Sequence, residues 1–363
     1  MSAASPMNVG HTVDWDFAAT IGSKLVRPAP PVTEYTRRQA IDQLATSARE
    51  AEGPVRDVTG LNEGAAVTEA RIVDRAEWVR AATESMRVMT GGGQGEPTGR
   101  LVTRRVTGAQ TGAVLAFVSS GILGQYDPFA ATGGQERSDS GNRTDGELLL
   151  VYPNVIAVER QLRVSPTDFR LWVCLHEVTH RVQFRANPWL ADHMSAALAV
   201  VTDDKGQELT QVVGRLGEFV RSKRANDAQA QPNSDGIVGF LRAIQSEPQR
   251  KALDQLLVLG TLLEGHADHV MDAVGPKVVP SVAVIRRRFN ERRQRKQPPL
   301  QRILRALMGV DAKMAQYTRG KAFVDHVVGE VGMAAFNTVW TSPETLPLPA
   351  EVDDPRRWIA RVL

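Results

Sequence analysis

The chain has 363 residues, of which 42% are hydrophobic and 23% charged, with a formal net charge of +3 and a pI near 9.1. This composition is typical of a folded globular protein and excludes a disordered, collagen-like or disulfide-rich secreted chain. The sequence has no run of about eighteen apolar residues and no basic segment followed by an apolar stretch at its start. It therefore predicts neither a membrane span nor a secretory signal, and it favours a cytoplasmic location.

The first part of the chain predicts helices separated by short breaks. Residues 1–12 are rich in Ser, Ala and Gly, which predicts a disordered terminus. The glycine run at 91–93 predicts a flexible linker. Apolar or small residues at helical spacing predict helices over 13–26, 33–52, 68–89 and 112–123.

The centre of the chain contains the strongest strand pattern. Residues 128–145 are polar and rich in Gly and Ser, which predicts a mobile loop. The apolar stretch 147–152 predicts a strand that Pro153 closes. Because an exposed strand edge can bind an extended peptide by main-chain hydrogen bonds, we expect this strand to offer its edge in that way.

A helix of about five turns is predicted over 166–185, since Pro166 and Asp168 are typical of a helix start and Asn187 precedes a proline. The chain from 341 onward is expected to be largely extended. Further helices are predicted over 188–201, 208–224, 237–244, 248–274, 280–295, 300–308, 312–328, 332–339 and 355–362. The predicted fold is therefore mainly α with a small β element.

Residues 175–180 read L-H-E-V-T-H and contain the motif H-E-x-x-H. On a helix, His176 and His180 lie one turn apart on the same face, so both imidazoles can bind one zinc ion. Glu177 lies beside them, where it can take a proton from water that the metal activates. Because the chain has only seven histidines, we prefer this metal site to an accidental pair on a solvated helix face.

A catalytic zinc normally has three protein ligands, so a third must come from elsewhere in the chain. Glu264 and Asp268 lie one turn apart on the predicted helix 248–274. We predict that Glu264 is the third ligand and that Asp268 accepts a hydrogen bond from a ligand imidazole, an arrangement of the glutamate-zincin type. The alternative third ligand is His266 or His269.

Three further residues are candidates for stabilising an oxyanion. They are His269, Tyr317 and His326, which the sequence alone places in the predicted helices near or after Glu264. Each is more often a structural residue than a catalytic one.

Two small residues near the motifs carry structural predictions. Cys174 is the only cysteine, which excludes an intramolecular disulfide, and it precedes His176 by two positions. A helix would therefore point it away from the metal, as a buried core residue. Gly265 costs a helix interior up to about 1 kcal/mol relative to Ala, so we expect its backbone to lie close to another helix or to the metal.

Several blocks of the chain resemble the actinobacterial zincin-like metallopeptidase family, whose members are often labelled coenzyme F420 biosynthesis-associated proteins. The resemblance covers residues 13–339 and implies a mainly helical zincin-like fold that holds a metal on the H-E-x-x-H helix. The blocks are L-G-Q-Y-D at 123–127, V-Y-P-N at 151–154, F-R-L-W-V at 169–173, H-E-V-T-H-R-V-Q-F at 176–184, P-W-L at 188–190, E-G-H-A-D at 264–268 and K-M-A-Q-Y at 313–317.

With this resemblance, the chain is predicted to contain four parts. They are a disordered N-terminus at 1–12, an N-terminal helical region at 13–95, a zincin-like metallopeptidase domain at 96–340 and an extended C-terminal tail with a short helix at 341–363.

The sequence predicts a zinc-dependent hydrolase, a peptidase that cleaves a peptide or a small amide with Glu177 as the general base. The alternative is a catalytically silent, metal-stabilised scaffold that binds a partner through the basic run at 286–296. The intact Glu177 argues against a scaffold, because a structural site needs no base. Phe289 is the only ring in the basic run, so we predict a solvated helix face there rather than a nucleic-acid site.

Overall fold

The computed structural model describes residues 9–92, 99–130, 146–202, 247–294 and 310–363. These residues form mainly α-helices and one small sheet, which confirms the predicted balance of secondary structure. None of the helices in these ranges is long and apolar enough to cross a membrane.

Some predicted elements lie outside the described residues. They are the helices 208–224, 237–244 and 300–308 and most of the loop 128–145.

Helices follow one another along the described parts of the chain. The observed helices are α1 (Trp15–Leu25), α2 (Glu34–Glu50), α3 (Glu52–Thr59), α4 (Arg75–Met89), α5 (Leu101–Ser119), α6 (Tyr152–Leu162), α7 (Pro166–Ala186), α8 (Trp189–Thr202), α9 (Glu247–Val274), α10 (Val282–Gln294), α11 (Val310–Phe336), α12 (Pro349–Asp353) and α13 (Pro355–Val362).

The sheet has three described strands, β1 (Arg71–Val73), β2 (Gly124–Asp127) and β3 (Glu147–Val151), in the order β1-β3-β2. β3 pairs in parallel with β1 and antiparallel with β2. The predicted strand is confirmed as β3, but the expectation that it offers its edge is wrong because it lies between the other two strands. Its side chains from Leu148 to Val151 are buried, as suits a central strand covered on both faces.

The predicted helix over 68–89 is wrong in its first two turns. Residues 71–73 form β1, and α4 begins only at Arg75. A capping box explains the boundary, because the Asp74 carboxylate accepts from the Glu77 backbone N–H at 2.8 Å and the Glu77 carboxylate accepts from the Asp74 backbone N–H at 2.7 Å. Ile72 and Val73 then suit the strand that precedes this cap.

The sequence does not predict α3 or α6, and prolines are part of the reason. Pro153 closes the predicted strand, yet it lies in the first turn of α6, where its missing N–H costs no hydrogen bond. Pro54 likewise lies in the first turn of α3, which ends at Gly60 in the left-handed conformation. At the other end of the chain, the predicted break before 332 is a kink at Gly332 (φ 82°) inside α11.

The helix that carries the H-E-x-x-H motif, α7, begins and ends within one residue of its predicted bounds. Ser165 is its N-cap and accepts a hydrogen bond from the backbone N–H of Asp168 at 3.4 Å. Pro166 occupies the first turn, and Asn187 has left the helical region before the following proline.

The main core surrounds α7. Cys174 is fully buried there, as predicted, and burial followed by the charge of Glu177 raises the pKa of its thiol. Residues of α2 and α3 belong to the same core as α7. The predicted division of the chain near residue 95 stays a prediction. The core side chains include Leu44, Ala48, Val55, Leu148, Leu150, Phe169, Trp172, Val173, Leu175, Val178 and Val182.

Two buried ion pairs fix α7 to its neighbours. Arg170 donates to both carboxylate oxygens of Glu159 on α6, at 3.0 and 2.7 Å. Arg181 forms an ion pair with Glu52 on α3, and Arg56 forms a second ion pair with the same carboxylate at 2.8 Å. All four side chains of the two pairs are at most 4% exposed, so each charge depends on its partner.

A second core lies between α9, α11 and the C-terminal helices. Trp358 on α13 is fully buried, and its ring lies 5.8 Å from Phe323 and 6.5 Å from Phe336 of α11. Leu262 and Leu263 of α9 share this cluster. The predicted helix 355–362 is confirmed, whereas the preceding segment contains the additional short helix α12.

The backbones of α9 and α11 touch where each has a glycine. A Cβ atom at Gly265 would lie 2.2 Å from the carbonyl carbon of Gly320, and a Cβ atom at Gly320 would lie 2.1 Å from the carbonyl oxygen of Thr261. This confirms the expectation that Gly265 serves a close approach between helices.

Gly320→Ala should lower the free energy of unfolding by about 1–3 kcal/mol, because α9 and α11 would have to separate. Gly329→Ala on the same helix is the control, since nothing lies within 4 Å of its Cβ position. Helix propensity predicts that this control stabilises the protein by up to about 1 kcal/mol. Chemical denaturation measures both, and equal effects would contradict the close contact.

Candidate metal centre

The middle of α7 presents both motif histidines on one face. The rings of His176 and His180 lie 4.8 Å apart between centroids, and their Nε2 atoms are separated by 3.3 Å. Both rings are partly buried beside the core, so neither is fully exposed to solvent.

Glu264 on α9 completes a cluster of three possible ligands. Its Oε2 atom lies 3.3 Å from Nε2 of His176 and 3.8 Å from Nε2 of His180. The three donor atoms all lie within 4.8 Å of one another, and they form the one such group of metal-ligating side chains in the described ranges. The sequence-predicted set is thus brought together from two helices.

The donor set fits a zinc ion. The buried Oε2 of Glu264 has no hydrogen-bond partner among the described residues, although two imidazole nitrogens point toward it. Two nitrogens and one carboxylate oxygen are a usual ligand set for catalytic zinc. A cation between them would satisfy an oxygen that is otherwise buried without a partner.

The electrostatics of the cluster favour positive charge. Burial lowers the pKa of His176, but Glu264 and the charges of Glu177 and Asp268 outweigh burial and raise that pKa to about 9. Burial raises the pKa of Glu264, but the two imidazoles outweigh burial and hold the pKa well below its usual value. The carboxylate is therefore ionised and available to a cation.

Glu177 lies against the sheet. Its side chain is 7% exposed, and a Cβ atom at Gly124 would lie 2.6 Å from its Cγ and 2.8 Å from its Cδ. Only glycine therefore lets β2 pass so close to this carboxylate. The arrangement brings an outer strand of the described sheet directly beside the predicted general base.

Gln183 joins the motif residue His180 to the buried His266. Its Oε1 lies 2.9 Å from Nδ1 of His180, and its Nε2 lies 2.9 Å from Nδ1 of His266. His266 is fully buried, and its ring packs 5.3 Å from Phe336 and 5.4 Å from Trp340. Burial, followed by the charges of His269 and His180, lowers the pKa of His266 to about 3, so it is neutral.

The sequence reasoning did not single out Gln183 or Gly124. Gln183 follows His180 by three positions and His176 by seven, so helical periodicity alone would have placed it on the same face. Gly124 is a glycine within a strand, which often marks a close approach.

Asp268 and His266 take other partners than those predicted. The Asp268 carboxylate accepts from Arg286 of α10 at 3.2 Å, and no hydrogen bond to an imidazole is among its described contacts. His266 does not belong to the metal-ligating group, because its Nδ1 faces Gln183 and its Nε2 lies among the aromatic rings.

Two of the three predicted oxyanion-stabilising residues, His269 and His326, pair with carboxylates of α11. His269 lies 2.7 Å from Asp325 of α11 through Nδ1, and His326 lies 3.1 Å from Glu330 through Nε2. Tyr317 lies outside the residues whose side chains are described. These pairings support structural roles for the two histidines.

The basic run on α10 is partly engaged by the protein itself. Arg286 pairs with Asp268 and with Asp272 at 2.5 Å, and Arg288 donates to the carbonyl oxygen of Leu162 at 2.8 Å. Arg287, at 66% side-chain exposure, is solvated as predicted. The run therefore serves partly to fasten α10 to α6 and α9.

Comparison with known proteins gives two matches to the chain. The family model described as zincin-like metallopeptidase matches residues 13–359. A crystal structure from Chloroflexus aurantiacus, described provisionally as a hydrolase with a novel fold, is similar at 28% identity and a TM-score of 0.62, over 96% of this chain and 98% of that chain. Comparison with the curated proteins gives no match.

Gly124→Ala should displace the Glu177 carboxylate and reduce turnover by about 10²-fold, because misplacement of a reacting group by about 1 Å has that effect. Bound zinc should be retained, since the three atoms nearest to the Gly124 Cβ position all belong to Glu177 and not to the three clustered side chains. Gly121→Ala is the control, as its Cβ would lie at an ordinary 3.6 Å from the Val118 carbonyl oxygen. Cleavage of a peptide library and elemental analysis measure the two properties; loss of zinc in Gly124→Ala would contradict the assignment.

Proposed function

The chain belongs to the zincin-like metallopeptidase family, as its motifs predict, and on that premise we propose that it is a zinc-dependent peptidase. The observation that carries the proposal is the convergence of the Glu264 oxygen with the two motif imidazoles, within 4.8 Å. The provisional description of the similar Chloroflexus aurantiacus protein as a hydrolase agrees with it.

We assign His176, His180 and Glu264 as the residues that would hold the ion. When bound, zinc lowers the pKa of a water molecule and polarises a carbonyl group. The three side chains come from two helices that are packed against each other, α7 and α9, so the ligand positions are set before any ion binds.

Glu177 would act as the general base. It directly follows His176, and its charge acts on that imidazole. We expect its carboxylate to accept a proton from the attacking water. It then passes this proton to the amine nitrogen that leaves as the amide bond breaks. A carboxylate with a restricted position performs both transfers without a second group.

β2 is the strand that we propose to pair with the substrate. Among the described strands it lies at one edge of the sheet, and its residue Gly124 touches the Glu177 side chain. An extended peptide that adds to this edge by main-chain hydrogen bonds would place one of its amide bonds near Glu177. This geometry favours a peptide over a small amide as the substrate.

Glu177→Gln should reduce peptide cleavage by at least about 10²-fold and leave bound zinc unchanged, because the amide cannot accept the proton. Elemental analysis and mass spectrometry of a digested peptide library measure zinc and cleavage. His176→Ala and Glu264→Ala should lose both properties.

His326→Ala is the matched control, because His326 pairs with Glu330 outside the cluster, and it should keep zinc and activity. Full cleavage by zinc-loaded Glu177→Gln would overturn the mechanism. A wild-type chain that binds no added zinc would favour the scaffold alternative.

A further inference from the structure

The amide of Gln183 lies between a proposed metal ligand and a buried histidine that the mechanism does not use. We propose that Gln183 is a positioning residue that holds His180 in the Nδ1-protonated tautomer and so directs its Nε2 lone pair toward the metal. The inference rests on the proposed function in one respect, namely that His180 binds a metal ion.

The Leu263 carbonyl determines which way the Gln183 amide faces. Gln183 Nε2 lies 3.1 Å from this oxygen. A backbone carbonyl can only accept a hydrogen bond, so the nitrogen of the amide, and not its oxygen, must face Leu263. The amide orientation thus follows from the backbone and not from a choice between two similar atoms.

The orientation of Gln183 dictates the tautomer of His180. With its nitrogen toward Leu263, the amide places Oε1 2.9 Å from Nδ1 of His180. This oxygen can only accept, so Nδ1 must carry the proton, and the neutral ring then has its lone pair on Nε2. Nε2 is the atom that lies 3.8 Å from Oε2 of Glu264.

His266 accepts the second N–H of the Gln183 amide, so both N–H groups of that amide have an acceptor. Gln183 Nε2 lies 2.9 Å from Nδ1 of His266, so this Nδ1 is an acceptor and the His266 proton is on Nε2. The rings of Phe336 and Trp340 pack against His266 and hold it in one orientation.

The network links the ligands of the two helices. Leu263 and His266 flank Glu264 on α9, and both bind the amide that contacts His180 on α7. The helix that supplies the carboxylate ligand therefore also fixes the protonation of an imidazole ligand. Outer hydrogen bonds of this kind typically change metal affinity by about 10–100-fold.

Gln183→Met preserves the length of the side chain and removes its hydrogen bonds. Zinc affinity of the full chain, measured by competition with a chelator, should fall by about 10–100-fold. In the metal-free protein labelled with ¹⁵N-histidine, long-range ¹H–¹⁵N correlation should show His180 as the Nδ1–H tautomer in wild type and as a mixture in Gln183→Met. His180→Ala assigns the signal.

Gln183→Glu separates the positioning role from a purely structural one. Its carboxylate still accepts from Nδ1 of His180 but cannot donate to Leu263 or His266. The variant protein should therefore lose thermal stability but keep the His180 tautomer and most of the zinc affinity.

Gln43→Met is the control for stability alone, because Gln43 accepts a hydrogen bond from Arg170, away from the proposed metal site. It should melt earlier and bind zinc as wild type does.

Either of two results would overturn the proposal: an Nε2–H tautomer of His180 in the wild type, or unchanged zinc affinity in Gln183→Met. Neither readout depends on turnover. A chain that binds zinc with the expected tautomer but cleaves no peptide would refute the proposed function and leave this inference standing.

Discussion

The close packing of α9 against α11 and α7 determines where Glu264 lies relative to the two motif histidines. On one side Gly265 meets Gly320 with no room for a side chain, which places α9 firmly against α11. On the other side the Leu263 carbonyl bonds Gln183 of α7. Glu264 lies between Leu263 and Gly265, whose backbones are both held by neighbouring helices. Its carboxylate is therefore presented to the two imidazoles from a rigid helix. A ligand set drawn from two distant segments depends on such a contact.

The motif helix itself is oriented by charge as much as by apolar packing. Arg170 binds Glu159 and Arg181 binds Glu52 in buried pairs on two neighbouring helices. Breaking a pair of this kind costs about 3–5 kcal/mol, although apolar side chains of similar volume can give equal stability. We infer that the pairs fix the rotation of α7 about its axis. Since Arg181 directly follows His180, any rotation of the helix would move the imidazole away from Glu264.

Local patterns predicted the parts of the site that each helix determines alone. The spacing of His176 and His180, and the start and end of α7, follow from helical periodicity and from prolines, and Glu264 follows from its position one turn before a second carboxylate. Partners from distant segments were not predictable in this way. Asp268 pairs with Arg286 of a later helix, and β1 is a strand because β3 pairs with it, so each depends on tertiary contacts that no local window contains.

The burial of Trp358 has a consequence for how the protein forms during translation. This side chain closes the core that contains Leu262 and Leu263, the residues directly before Glu264. During translation His176 and His180 are synthesised before Glu264, and Trp358 is synthesised only after all of α11. Until then this core is incomplete, so a stalled nascent chain would leave part of the apolar face of α9 exposed to chaperones. The helix that carries Glu264 therefore gains its full packing only after the segments that follow it have been synthesised.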